Sequence, residues 1–216
     1  MKEFCVIGLG NFGAMVARRL AEKGGRVTAI DVDKAKVQIV QEYVHLAIMG
    51  NATEHKFLEN LEVGNFDCFV VSTGEDSHAS ILITLYLKEL GAKKIIVKAN
   101  SADHARILKK VGADEAVIPE EEMAVKLAHT LARPNVVDFL PLSDEYSIAE
   151  ILTPGSFIGR SLMKLKLRQK YHIEVIAIKD GSSGTFNFIP EALYEIKESD
   201  ILVVLGKQED IERLKG

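Results

Sequence analysis

The run Val6-Ile7-Gly8-Leu9-Gly10-Asn11-Phe12-Gly13 constrains the chain most, because an apolar segment precedes the glycines and a helical pattern follows them. A strand, a tight turn and a helix in that order form the start of a βαβ unit. In such a unit the first glycine allows the sharp turn, the second lets a ligand approach the backbone, and the third lets the helix lie close to the sheet. Asp31 stands eighteen positions after Gly13, at the end of the next apolar segment. There a carboxylate can accept hydrogen bonds from ribose hydroxyls, the alternative being a solvated charge at a strand end. The unpaired amides of the helix start attract anions, so Gly8, Gly10, Asn11, Phe12 and Gly13 read as a phosphate-binding turn.

The rest of the amino-terminal half repeats this cadence. Apolar runs predict strands over residues 2–7, 26–31, 45–49, 68–71, 94–98 and 115–118, with helices over 12–22, 34–43, 54–61, 76–90 and 102–110 between them. That alternation predicts an α/β fold, a Rossmann-like doubly wound parallel sheet. A further helix over 120–133 carries Met123, Ala124, Leu127 and Leu131 on one stripe, with Pro134 ending it. The stripe either packs on its own sheet or holds a partner subunit. Residues 136–142 are too apolar for a bare linker and read as a packed connection. Beyond them, strands over 146–152, 174–179 and 200–205, helices over 161–167 and 208–214, and a turn at 180–184 predict a small α+β module. The expected domains are 1–134 and 135–216, the second opening with linker that gives way to folded module near residues 138–143.

Further strand ends on the ligand side carry candidates. Asp33 either touches ligand or caps the helix that follows. Gly50, Asn51, Ala52 and Thr53 follow the third strand, where Asn51 can reach an adenine edge or Thr53 with Glu54 can simply start the next helix. Thr73, Gly74 and Glu75 follow the fourth strand at the topological switch point, with Asp76 as an alternative helix cap. Glu120 and Glu121 follow the sixth, where a carboxylate near phosphates makes sense only with a cation between them. The other reading is helix-start charge favoured by the macrodipole.

Composition narrows the classes. With 216 residues and 47% hydrophobic content the chain can bury a sizeable core, while a net charge of −4 gives no reason to expect a nucleic-acid partner. No secretory leader pattern and no run of about 18 apolar residues is present, so a cytosolic protein is expected. Cys5 and Cys68 form no close pair, and His45, His55, His78, His104, His129 and His172 have no compact metal-ligand spacing. Neither a nucleophile elbow nor an evident acid–base pair appears. A ligand-gated regulatory subunit, an NAD(H)-dependent oxidoreductase and a redox-sensing regulator all share the glycine turn.

The whole chain resembles the regulatory subunits of Trk/Ktr potassium transporters. The residues that carry the resemblance are 7–13, Asp31, 51–53, Gly112-Ala113-Asp114 leading to Pro119-Glu120, and Leu142-Ser143-Asp144-Glu145-Tyr146-Ser147-Ile148 followed by Glu150-Ile151. The resemblance implies a TrkA-N, or RCK, domain followed by a TrkA-C domain. It also implies dimers assembled into an octameric ring, cytoplasmic and peripheral at the membrane, docked on a membrane-embedded potassium-translocating subunit. ATP or ADP, or NAD(H) in some relatives, would occupy the cleft and switch the ring without hydrolysis. Carried over by position, the three glycines surround phosphate, Asp31 holds ribose, Asn51 lies near the base, and Glu120 helps bind Mg²⁺ across a dimer. Asn11 departs from the arginine that several relatives have there, which removes a positive charge near the terminal phosphate. Cyclic di-AMP is a ligand of some bacterial Ktr relatives, and its neighbourhood here would include Arg168, Tyr171, His172, Ile173 and Pro190, where Arg168 could satisfy phosphate; the alternative is an ordinary folding role, with Ile173 completing the small domain's core.

Overall fold

The structure, a computed structural model, describes residues 1–132, 136–143 and 145–214, without the side chain of His129. The helix end expected at Arg133 and Pro134, the boundary between 134 and 135, and Asp144 lie outside the described residues. The chain divides into two compact units, 1–121 and 122–216.

The first unit alternates strands and helices: β1 (Glu3–Ile7), α1 (Asn11–Glu22), β2 (Arg26–Asp31), α2 (Lys34–Val40), β3 (Leu46–Met49), α3 (His55–Glu59), β4 (Cys68–Val71), α4 (Ser77–Glu89), β5 (Ile95–Lys98), α5 (Ala102–Val111) and β6 (Glu115–Val117). Among the described residues the strands form one parallel sheet in the order β3-β2-β1-β4-β5-β6. The order reverses beside β1, which pairs with β2 on one side and β4 on the other. A parallel sheet covered on both faces needs strands apolar throughout. β4 meets that demand, since Cys68, Phe69, Val70 and Val71 are all buried. Alternate residues then feed two cores. Val6, Val27, Ala29 and Val70 pack with Ala17 of α1 and Val37 of α2. Cys5, Ile7, Phe69 and Val97 pack with Ile83 of α4 and Leu108 of α5. Cys5 and Cys68 are buried in these layers, and desolvation pushes both thiols above the ordinary cysteine range.

His104 of α5 is a structural histidine. Its Nδ1 accepts the Asn100 amide at 3.2 Å, and its Nε2 lies 3.0 Å from the buried Ser80 hydroxyl, which bonds onward to the Ser77 carbonyl. Loss of water holds its basicity below the usual value. The ring ties α4 to α5 behind the sheet.

The second unit contains most of α6 (Pro119–Ala132), then β7 (Val136–Pro141), β8 (Tyr146–Leu152), α7 (Leu162–Leu165), α8 (Leu167–Tyr171), β9 (Glu174–Asp180), β10 (Phe186–Phe188), β11 (Asp200–Lys207) and α9 (Gln208–Glu212). Its sheet has the order β10-β9-β11-β8-β7, with every named pairing antiparallel. Three features depart from expectation here. Residues 136–142 are not a connection: most of them form the edge strand β7, whose Val136 and Phe139 point into the core across a register shift. The 161–167 helix is two short helices, broken where Lys166 takes a left-handed backbone conformation with φ +51°. β10 was invisible because it is three exposed residues with no buried face. Met123, Leu127 and Leu131 of the α6 stripe are exposed.

Candidate nucleotide cleft

The carboxyl ends of β1, β2, β3 and β4 open into a cleft of about 400 Å³ beside the point where strand order reverses. Ligands of open α/β sheets bind at such crevices, and the volume lies within the range of small-molecule sites.

The glycine turn forms its floor. Gly8 leaves β1 with φ +91°, and a Cβ there would sit 2.1 Å from the Ser72 carbonyl oxygen. Gly13 brings α1 against the turn so closely that a Cβ would lie 1.9 Å from the Gly8 oxygen. Gly10 is different. It lines the cleft, a Cβ would meet no protein atom within 4 Å, and it stands at the N-cap of α1 with no side chain capping the helix. No acidic residue occupies the first turn of α1, so the helix start retains its attraction for an anion. These observations fit a polyphosphate lying against Gly10. Asn11 and Phe12 start α1 outside the cleft lining, and Gly13 acts from beneath.

Asp31 is 8% exposed and is not a solvated strand-end charge. Its Oδ2 accepts the Leu9 amide of the glycine turn at 2.6 Å, and its Oδ1 accepts the Asp33 amide at 2.8 Å. The carboxylate thereby staples the turn to β2 while bordering the cleft. Carboxylate oxygens have capacity for more than one donor each, so ribose hydroxyls can still be accommodated. Lys36 Nζ lies 3.9 Å from Asp31 Oδ2 and also lines the cleft. Asp33 caps α2 by accepting the Ala35 amide at 2.8 Å and stands outside the lining.

Two loops complete the walls. Gly50, Asn51, Ala52 and Thr53 line one side, where Asn51 Oδ1 accepts the Thr53 hydroxyl at 2.7 Å and its amide at 3.1 Å. Ser72, Thr73, Gly74 and Asp76 line the other, where Asp76 caps α4 through the Ala79 amide at 2.9 Å. Glu75 is exposed and outside the lining. The glycine, Asp31 and loop patterns did not point to Ile30, Val32, Lys36, Ser72, Ala79 and Ile83 as lining residues. Ser72 was discoverable: Ile7 pairs with Val71, so the next residues, Gly8 and Ser72, share a row.

Glu120 stands apart from the lining. Its Oε1 accepts a hydrogen bond from Lys98 Nζ, and that ammonium holds the Glu120 carboxyl below the usual range. Among the described residues, no group of three or more histidine, cysteine, aspartate or glutamate side chains is assembled for a metal. A cation at Glu120 would therefore need oxygens from a ligand or another subunit.

In the second unit a groove of about 440 Å³ is lined by Arg168, Ile173 and Pro190 among others. Arg168 Nε bonds Glu174 Oε2 at 2.7 Å, and Ile173 is a buried member of the core. Tyr171 packs near Phe157, while His172 has a left-handed backbone with φ +55°. Neither lines the groove.

A glycine turn, a buried carboxylate at the end of β2 and a crevice at the switch point define a Rossmann-like domain of the nucleotide-binding type. It is joined here to a small α+β domain. Residues 4–119 match the TrkA-N domain and residues 148–215 the TrkA-C domain. The chain belongs to the TrkA-N/TrkA-C family of Trk and Ktr potassium uptake proteins. It is 42% identical to the Ktr system potassium uptake protein C of Bacillus subtilis, with 99% of this chain and 96% of that one aligned. It is 39% identical to protein A of the Ktr system of the same organism, covering 100% and 96%. The solved GsuK channel bound to NAD shares the fold with a TM-score of 0.68 at 17% identity, covering 99% of this chain and 38% of that one. No helix among the described residues is long and apolar enough to cross a membrane.

Proposed function

We propose that the chain is the nucleotide-binding regulatory subunit of a Trk/Ktr-type potassium uptake system, acting from the cytoplasmic face on a membrane-embedded translocating subunit. The observation that carries this reading is the coincidence of an open glycine-turn cleft with full-length similarity to two Ktr proteins. Either feature alone is weaker, because the turn reports phosphates and ribose, not a reaction.

An adenine nucleotide, ATP or ADP, is the proposed ligand, and the dinucleotide NAD(H) is the competitor the turn also fits. Gly8, Gly10 and Gly13 shape the phosphate floor, Asp31 receives ribose, and Asn51 to Thr53 face the base. Control of a partner requires that ligand bind its active and inactive states with different affinity. The chain has no role as an enzyme in this account. Homodimers assembling to an octameric ring are the proposed framework, with residues 1–134 and 135–216 as its domains. The exposed apolar stripe of α6 supports an uncovered face of that kind. Glu120 is assigned to Mg²⁺ jointly with nucleotide phosphates, and the groove at Arg168 and Pro190 to cyclic di-AMP.

Calorimetric titration with ATP, ADP, NAD and NADH, run with and without Mg²⁺ alongside oligomer mass, tests the ligand assignment. Binding of ATP or ADP with a ligand-dependent change in the assembly is expected. A folded protein that binds neither contradicts it, and tight NADH binding alone moves the reading to a redox sensor or, if turnover is detected, an oxidoreductase.

A further inference from the structure

The rim of the cleft can be followed strand by strand. Ile7 pairs with Val71, and Val71 with Val97, so the residues that follow them, Gly8, Ser72 and Lys98, stand in one row along the carboxyl edge of the sheet. Lys98 is two strands from the glycine turn, about 10 Å at the usual strand spacing, a gap that its flexible four-carbon stem can largely close. The stem does lean that way. Lys98 Nζ lies 6.0 Å from the centre of the Phe12 ring in the first turn of α1. Its side chain is only 15% exposed, whereas that of its counter-ion Glu120 is 67% exposed.

The distribution of charge makes this lysine informative. Among the residues lining the cleft the basic one is Lys36, and it stands beside Asp31 at the ribose end. Asn11 brings no charge to the start of α1. A nucleotide with its ribose at Asp31 on β2 and its phosphates over Gly10 runs from β2 toward β4 and β5. Each additional phosphate therefore approaches the ammonium held at the end of β5.

We infer that Lys98 is the residue that counts phosphates in this cleft, with Glu120 its resting counter-ion, displaced when a terminal phosphate takes the ammonium. The inference rests on the nucleotide reading of the cleft and deepens it. An exposed carboxylate is easily given back to water, so the exchange is open to competition. A terminal phosphate brings more negative charge than one carboxylate and several acceptor oxygens. The release also leaves Glu120, in the first turn of α6, free to take a cation. Nucleotide charge and the start of that helix are thus linked through one ammonium.

Titrate wild type, Lys98→Met, Lys98→Arg and Glu120→Gln with ATP and ADP in Mg²⁺-free buffer at fixed salt. Lys98→Met is expected to weaken ATP by roughly tenfold or more, the usual size of a lost charged hydrogen bond, and ADP by far less. Lys98→Arg should keep the ATP preference. Glu120→Gln, which removes the competitor, should bind ATP more tightly than wild type. Equal ATP-to-ADP ratios in wild type and Lys98→Met overturn this inference while leaving the cleft reading intact. Wild type that binds neither nucleotide overturns both.

Discussion

Asp31→Ala is expected to weaken every ribose-bearing ligand by about tenfold to a hundredfold, the loss of one or two hydrogen bonds to a charged group. It should also destabilise the free protein by about 1–3 kcal/mol, the cost of leaving a buried donor unpaired. The second effect follows from the two amides that Asp31 accepts, Leu9 N–H at 2.6 Å and Asp33 N–H at 2.8 Å. Without the carboxylate the glycine turn is no longer tied to β2. Asp31→Asn separates the two roles, because one carbonyl oxygen can still receive Leu9 while the amide nitrogen offers a donor where an acceptor is required. Calorimetry should therefore show a large affinity loss in both variants, with the greater fall in melting temperature in the alanine variant. Equal ATP and ADP affinity in Asp31→Ala and wild type would remove Asp31 from the ligand site.

Gly13→Ala carries the next largest effect, and it acts on the fold first. The added Cβ would meet the Gly8 carbonyl oxygen at 1.9 Å, a backbone atom that cannot swing aside as a side chain can. Either α1 lifts away from the turn or the turn itself distorts, and overpacking of this kind costs about 1–3 kcal/mol or more. In a chain of this size, roughly 2–4 °C of melting temperature is lost per kcal/mol. Nucleotide affinity should fall with it, because the amides at the start of α1 move with the helix. Gly10→Ala is the matched contrast: its Cβ meets no protein atom within 4 Å, so the melting temperature should hold while binding falls. If Gly13→Ala melts with wild type, the close approach of helix and turn is not a determinant of the fold.

That contrast shows what was legible in the sequence. The three glycines carry distinct demands, and each could be assigned from spacing because a strand–turn–helix junction leaves few conformations to choose from. The parallel sheet was legible for the same reason, since Cys68 to Val71 is uninterrupted apolar sequence bounded by turn residues. Side-chain partners were harder. Asp33 and Asp76 look like ligand contacts or caps until their bonds to Ala35 and Ala79 are seen, and Asp76 proves to be a cap that also lines the cleft. Asp31's bond to Leu9 spans two elements, and no local spacing encodes it. The second unit gave up less because short antiparallel strands leave weak periodic signals. β7 carries a register shift that breaks its alternation, and β10 has no buried face at all. Lys98 lay in an ordinary strand ending, and only the row it shares with Gly8 and Ser72 gives it significance.

The central claim is that occupancy of this cleft by a nucleotide sets the activity of a potassium transporter. It is tested most directly by potassium uptake in cells that lack their own Ktr-type regulator but carry the membrane subunit. Wild-type chain should restore uptake, and Gly10→Ala, folded but impaired in nucleotide binding, should restore much less. Equal restoration by the two, with the binding defect confirmed on the purified variant, or no restoration by wild type, would contradict the account.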